Sequence, residues 1–275
     1  NASAHTVSYS NATANVLAGT YRNLIISTGV TTATLCNTIT VNGNLSIENS
    51  AVLQNSGSYD IYLAGNWTDN NTADGFTEGT GEVFFNGTSP QTITKAGGTG
   101  AESFYDLSLN NSNGLNLASG DLNITHQFSF AAGNITFANS SNIVYLSAGT
   151  PASLNYTSVT GSRLIGKFER RINTTGTYLF PVGTATNYNP ANLVINAAPG
   201  AGSVLTEFIS GAPGNSGLPI NEGGVEVSDA FTDGYWSLTA KNGFSSGNYS
   251  VTLNGTGFST AIFDITRIIK RTAGG

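Results

Sequence analysis

A chain of 275 residues with only 9% charged side chains, against roughly 25% in an average soluble domain, can bury a large core while keeping an uncharged surface. A formal net charge of −6 excludes a nucleic-acid-binding face, which needs clustered Lys and Arg over the phosphates; between Arg22 and Arg163 the only basic side chain is Lys95. The single cysteine, Cys36, excludes an intrachain disulfide and a cysteine-based metal site, and no apolar run approaches the ~20 residues of a membrane-spanning helix.

The first stretch, "NASAHTVSYSNATANVLAGT", is polar, with modest apolar content at Val7, Tyr9, Val16 and Leu17. It lacks a basic segment followed by an apolar one, so a secretion signal is expected to have been removed already. Strand-like pieces then recur every six to ten residues: "NLIIS", "TITV", "NLSI", "DIYLAGNW", "EVFFNG", "QTITK", "DLSLNN", "DLNIT", "QFSF", "NITFA", "NIVYLS" and "SLNYTS". Gly, Asn or Ser punctuates nearly every junction, and no segment carries a useful helical period. A sandwich of hairpins or a β-solenoid, with three short strands per turn of about 20 residues, suits this spacing.

An ungapped internal repeat favours the solenoid. The segment from Tyr21 aligns with the segment from Phe104, 83 positions later, so that Leu24 meets Leu107, Ile39 meets Leu122, Val41 meets Ile124, Ile47 meets Phe130 and Val52 meets Ile135. Matched residues alternate along each strand and so share one face, the expected core; Ile25, Val30 and Leu53 find no apolar match and are expected at the surface. Ile124 and Phe130 should therefore point inward, Asn123 and Ser129 outward. An interval of 83 is close to four coils. The expected fold is all-β: a parallel β-helix over residues 1–161, whose N-terminal stretch forms an incomplete capping coil.

From about Ser162 the repeat stops. "SRLIGKFERRI" holds Arg163, Lys167, Arg170 and Arg171, four of the ten basic residues, and longer strands follow in "TGTYLFPVG", "NPANLVINAA", "GSVLTEFIS", "DGYWSLTA", "NYSVTLNG" and "FDITRIIKR". Residues 162–275 read as an antiparallel β-sandwich domain. The basic cluster is expected at the junction, pairing with Glu169 or with acids of the second domain, an anionic-ligand site being the alternative.

Four stretches in order, "NLIIS…TITVNGNLSI", "LAGNWTDN…GTGEVFFNGTSPQTIT", "FYDLSLNNSNGLNL" and "RRINTTGTYLFPVGTATNYNPANLVI", resemble the secreted and surface β-solenoid adhesin-like proteins of Bacteroidetes exported by the type IX system. The similarity runs over nearly the whole chain and rests on the ordered series. It implies a parallel β-helix followed by a β-sandwich, an extracellular, cell-surface location, and roles in adhesion, surface filaments or gliding motility. Such proteins usually end in a sorting domain, whereas this sequence stops at "RTAGG"; either that domain was removed or the chain is part of something longer.

Parallel β-helices also house polysaccharide lyases and hydrolases, and glycoside hydrolysis needs two carboxylates roughly 5–10 Å apart. Asp60, Glu82, Glu102, Asp106 and Asp121 read as scattered, with no alternate-position pair. "DITRIIKR" superficially resembles the Arg-x-Lys of polygalacturonases without their paired aspartates. His5 and His126, the only histidines, cannot supply a triad or zinc site, and His126 aligns with Gly43 in a turn. "DNNTADGFTE" offers Asp69, Asp74 and Glu78 as the best calcium candidates but lacks the terminal bidentate Glu, so a solvated turn is expected. Trp67 and Trp236 are the sugar-stacking candidates, with core packing as the expected alternative. The fourteen Asn-x-Ser/Thr sites, Asn44, Asn66 and Asn134 among them, read as turn and ladder residues rather than glycan acceptors.

These residues point to a non-catalytic extracellular module without cofactor or resident metal, an adhesin or filament subunit. Its partners would be surface glycans, other surface proteins, or further copies of itself end to end, with neither nucleic acid nor membrane insertion. A carbohydrate-binding module is the alternative, and a polysaccharide-degrading β-helix enzyme ranks third.

Overall fold

The computed structural model describes residues 5–96, 100–263 and 266–271. It is all-β and contains a parallel β-solenoid of about seven turns. Each early coil visits three sheets in a fixed order. The first complete coil runs Thr13–Val16 in sheet B, Gly19–Tyr21 in sheet C and Asn23–Ile26 in sheet A. Thr6–Tyr9 precedes it as a lone sheet A strand. Each of these strands pairs in parallel with its counterpart one coil on, so the backbone hydrogen bonds of the strands run between coils.

Inward residues stack into columns. One runs Tyr21, Val41, Leu63, Phe85, Leu109 and Phe130, all buried. Leu109 lies four coils and 88 positions after Tyr21. The 83-residue repeat is therefore not a whole number of coils. It superposes Leu24 of sheet A on Leu107 of sheet C, but Ile39 and Val41 of sheet C on Leu122 and Ile124 of that same sheet. The inward and outward assignment survives because every sheet has the same alternation. Ile124 and Phe130 are fully buried, and Asn123 and Ser129 lie partly exposed on the outer face.

Corners break the alternation, and three expectations fail there. Val30 and Leu53 are fully buried, while Val52 is partly exposed. After Ile26 the chain turns through Gly29 at φ 89°, and the Val30 N–H donates to Ser27 O at 3.1 Å, which tucks Val30 inward. One coil later Ser50, at φ 65°, does the same for Ala51. Each such residue resets the parity of the strand that follows.

Asn and Asp side chains cap other corners. The Asn44 N–H donates to Asn23 Oδ1 (2.8 Å), the Asn66 N–H to Asn44 Oδ1 (2.9 Å) and the Thr92 N–H to Asn66 Oδ1 (2.9 Å). A side-chain oxygen from each coil thus satisfies a backbone donor of the next. The neighbouring glycines let the corners stack closely: a Cβ on Gly65 would overlap the Gly43 carbonyl. This accounts for an abundance of Asn and Gly with so little charge.

Sheet B ends at Phe76–Thr77. Beyond it, Ala101–Asn110 and Asp121–Ala132 run as single long strands of sheet C. "DLNIT" and "QFSF", which read as two strands, form one. His126 sits in the bulge between them, where Thr125 and His126 oppose Tyr105 alone, rather than in a turn.

Antiparallel strands follow, and sheet C runs on across position 162. Lys167–Ile172 pairs in parallel with Ile143–Leu146 on one side and antiparallel with Gly202–Ser210 on the other, which in turn pairs with Gly234–Lys241. Gly176–Phe180, Ala191–Ile195 and Tyr249–Leu253 make a separate antiparallel sheet. Phe168 and Phe180 meet between the two, with ring centroids 6.1 Å apart. The described part of "FDITRIIKR" forms no strand, and Phe263 and Ile268 remain exposed. Among the described residues no helix is long and apolar enough to cross a membrane.

Candidate functional site

The outer face of sheet C gathers acids that look scattered in the sequence. Glu82 and Asp106 are register partners on adjacent coils, and the Glu82 N–H donates to Asp60 Oδ1 at 3.0 Å. Asp60, Glu82 and Asp106 thus form one ladder at one-coil intervals. Their spacing in sequence, 22 and then 24 residues, follows unequal coil lengths, which hid the alignment. Asp106 Oδ1 accepts the Gln127 N–H and lies 2.7 Å from His126 Nδ1. Burial and then the charges of Asp106 and Asp60 push the Glu82 carboxyl up to about 6.

Two aromatic stacks flank this ladder. Tyr62 and Phe84, register partners and both partly exposed, stack with ring centroids 4.4 Å apart and planes 11° apart. Tyr105 and His126 stack at 4.6 Å. Carboxylates beside aromatic faces can accept sugar hydroxyl hydrogen bonds while the rings cover apolar sugar faces. The ladder also fixes a testable sign. A carboxyl whose folded-state pKa is raised loses stability as pH climbs from its unfolded value, near 4.5, through about 6. Glu82→Gln is therefore expected to raise the melting temperature at pH 8 by roughly 1–4 °C, after discounting for solvent screening, and to leave it unchanged at pH 4. Thermal scans at the two pH values check this; an equal effect at both would contradict it.

A second polar cluster lies inside the solenoid. Asp69, fully buried at the end of its sheet A strand, accepts a hydrogen bond from Lys95 Nζ at 2.5 Å. Lys95 also donates to Asn71 O (3.0 Å) and Ala73 O (2.6 Å). Glu102 on the next coil is buried beside them, and desolvation, then the Asp69 charge, holds its carboxyl well above the usual range.

The candidate residues read from the sequence are thereby relocated. Asp69 points inward and is held by Lys95, while Asp74 is exposed in the loop above and Glu78 lies partly exposed beyond it. Burial raises the pKa of both Asp74 and Glu78. Among the described residues no group of three or more His, Cys, Asp and Glu is arranged to hold a metal ion. Trp67 is wholly buried, edge-on to Phe76 (4.9 Å) and Phe104 (5.0 Å), so it cannot stack on a sugar. Trp236 packs edge-on to Phe208, and its Nε1 donates to Asn189 O at 2.8 Å. His5 is exposed, and Cys36 is an exposed free thiol.

Among the described residues the basic cluster bonds to carbonyls rather than pairing with acids as expected. Arg163 donates to the carbonyls of Thr184, Gly161 and Ala185. Arg170, fully buried, donates to those of Leu179, Thr150 and Pro151 and lies over the Tyr178 ring; burial pulls its pKa down to about 10. Glu169 instead accepts from Ser203 Oγ and Asn242 Nδ2. The arginines close loop carbonyls where the parallel coils end, a use of charge that no spacing rule reveals.

Comparison of the chain with protein-family models, with curated proteins and with solved structures returned no match.

Proposed function

We propose that the chain is a non-catalytic structural and adhesive module of an extracellular surface, a stiff β-solenoid joined to a terminal antiparallel β-sandwich over residues 162–275. The observation that carries this reading is the stacking of inward columns, coil on coil, into strands that continue sheet C past position 162. Such a core resists bending and leaves broad outer faces for contact. The outer column of sheet A, running Ser8, Ile25, Ser46, Thr68 and Thr94, is uncharged. Asp60 and Asp106 serve as acceptors for backbone N–H groups, a structural use of acids that a hydrolase would need free. Surface glycans, surface proteins or further copies of the chain are the proposed partners. Images of the intact chain are expected to resolve rods, single or joined end to end. Incubation with polygalacturonate or alginate is expected to release neither reducing ends nor unsaturated products, and turnover of either would overturn the reading.

The Tyr62–Phe84 stack beside Glu82 favours a second reading, carbohydrate binding on the outer face of sheet C. Titration against a panel of neutral and amino-sugar oligosaccharides separates the two. Saturable binding that Phe84→Ala abolishes without changing the melting temperature would favour a glycan-binding module.

A further inference from the structure

Three ionisable side chains meet inside the core, at the ends of columns that are elsewhere apolar. The column holding Asp69 and Lys95 begins Tyr9, Ile26, Ile47, and the column headed by Glu102 continues Leu122, Val144, Phe168. Asp69 and Lys95 are register partners on adjacent coils, and Glu102 stands on the coil after. All three are at most 3% exposed. Glu102 Oε2 has no hydrogen-bond partner among the described residues. Trp67, two residues before Asp69, packs edge-on to Phe104, two residues after Glu102, which seals the cluster from water. A buried ion pair of this kind is commonly no more stable than aliphatic residues of the same volume, so packing alone does not account for it. The arrangement is instead that of an amine held against a carboxyl, with a second carboxyl at hand to move protons.

We propose that Lys95 and Asp69 condense in the folded chain to an isopeptide bond, with Glu102 as the proton shuttle. The ion pair first passes a proton from Nζ to the Asp69 carboxylate, giving a neutral amine and a neutral acid. The Nζ lone pair then attacks Asp69 Cγ, and the new C–N bond forms as the C=O π pair moves onto oxygen. Glu102 donates its proton to the departing hydroxyl, the C–O bond breaks, and water leaves. Glu102 takes a proton from the nitrogen and ends as it began. One ammonium and one carboxylate become one amide and one water, with no oxidant or cofactor. The low-dielectric surroundings favour the neutral species along this path and the uncharged product. The contacts of Nζ with Asn71 O and Ala73 O hold it in place, and the amide keeps one N–H for them. The bond would lock neighbouring coils of sheet A together, whether or not the chain is adhesive.

Mass spectrometry of the intact chain, produced where Asn is not glycosylated, tests this directly. The expected mass is that of the sequence less one water. Trypsin acting on the unfolded protein is expected to leave the bond after Lys95 uncut, so that residues 23–163 remain one peptide. A full sequence mass together with cleavage after Lys95 overturns the proposal, and this readout needs no variant to fold. Lys95→Arg and Asp69→Ala are each expected to retain the full mass of the variant. Glu102→Gln, checked for native circular dichroism, is expected to stay uncondensed; loss of water in that folded variant would overturn the role given to Glu102.

Discussion

Ile124→Asp is expected to lower the melting temperature by roughly 8–16 °C, corresponding to about 4 kcal/mol, whereas Asn123→Asp changes it by no more than about 2 °C. Ile124 is fully buried and stacks between Phe104 and Leu146. A carboxyl there has no partner: the nearest cation along the column, Arg170, lies beyond Leu146, and its guanidinium is committed to loop carbonyls. The group must be buried charged or protonated, and either costs free energy, on top of the lost aliphatic packing. Asn123, one residue away, faces outward and is partly exposed; its Oδ1 is covered, but the outward side chain can turn a carboxylate toward solvent, which Ile124 in the core cannot. Thermal unfolding of both variants measures the difference. Equal losses would contradict the inward and outward assignment along Asp121–Ala132, and a larger loss for Asn123→Asp would mean that the faces are exchanged.

That contrast shows what alternation alone can reveal. Parity within a strand depends only on the two-residue repeat of extended chain, and Leu24, Ile39, Val41, Leu45 and Ile47 declare it plainly. The position of a strand around the coil depends on corner lengths, which vary as glycine, Asn ladders and bulges are inserted. The 83-residue alignment therefore found the right face of most strands, while setting sheet A strands such as Leu45–Ile47 on sheet C. Val30 and Leu53 were misread because a positive-φ residue changes the count by one, and neither Gly29 nor Ser50 is distinguishable in sequence from other turn residues. The late strands "GSVLTEFIS" and "DGYWSLTA" were legible because antiparallel strands with clear turn signals carry their alternation locally.

The chemistry was less legible, for the same reason. Asp60, Glu82 and Asp106 form a ladder only once coils of unequal length are stacked, and no fixed spacing links them. Lys95 did stand out as the lone cation of a long stretch, but its partner Asp69 read as part of an exposed loop with Asp74 and Glu78. The strand Trp67–Asp69 buries both its ends, so Trp67 and Asp69 share one inward face. Applied to "NWTDN", the two-residue period places an acid in the core next to a tryptophan; the loop motif drew attention away from that signal.

Removal of residues 1–16 is expected to convert the protein into one that associates in proportion to its concentration. The deletion takes away two strands, Thr6–Tyr9 and Thr13–Val16, which are the outermost members of sheets A and B. Val7 and Tyr9 stack on Leu24 and Ile26, and Val16 stacks on Leu35. Tyr9 also reaches Tyr21, hydroxyl to hydroxyl at 3.3 Å. Without them the ends of the apolar columns at Leu24, Ile26 and Leu35, now at most 1% exposed, face water beside the new strand edges. At about 25 cal/mol per Å² of apolar surface, several uncovered aliphatic side chains supply a drive of a few kcal/mol toward another molecule, and open edges supply the hydrogen-bonding template. Leu17 does not share in this cover, since it is 62% exposed; its contribution is the carbonyl that accepts the Tyr21 hydroxyl. Sedimentation velocity of the intact and truncated chains over a wide concentration range decides the matter. A monomeric intact chain with an associating truncation identifies the segment as a cap. Monomers throughout would mean that the following coil closes the column unaided, and end-to-end polymers of the intact chain would make the segment a joint between subunits.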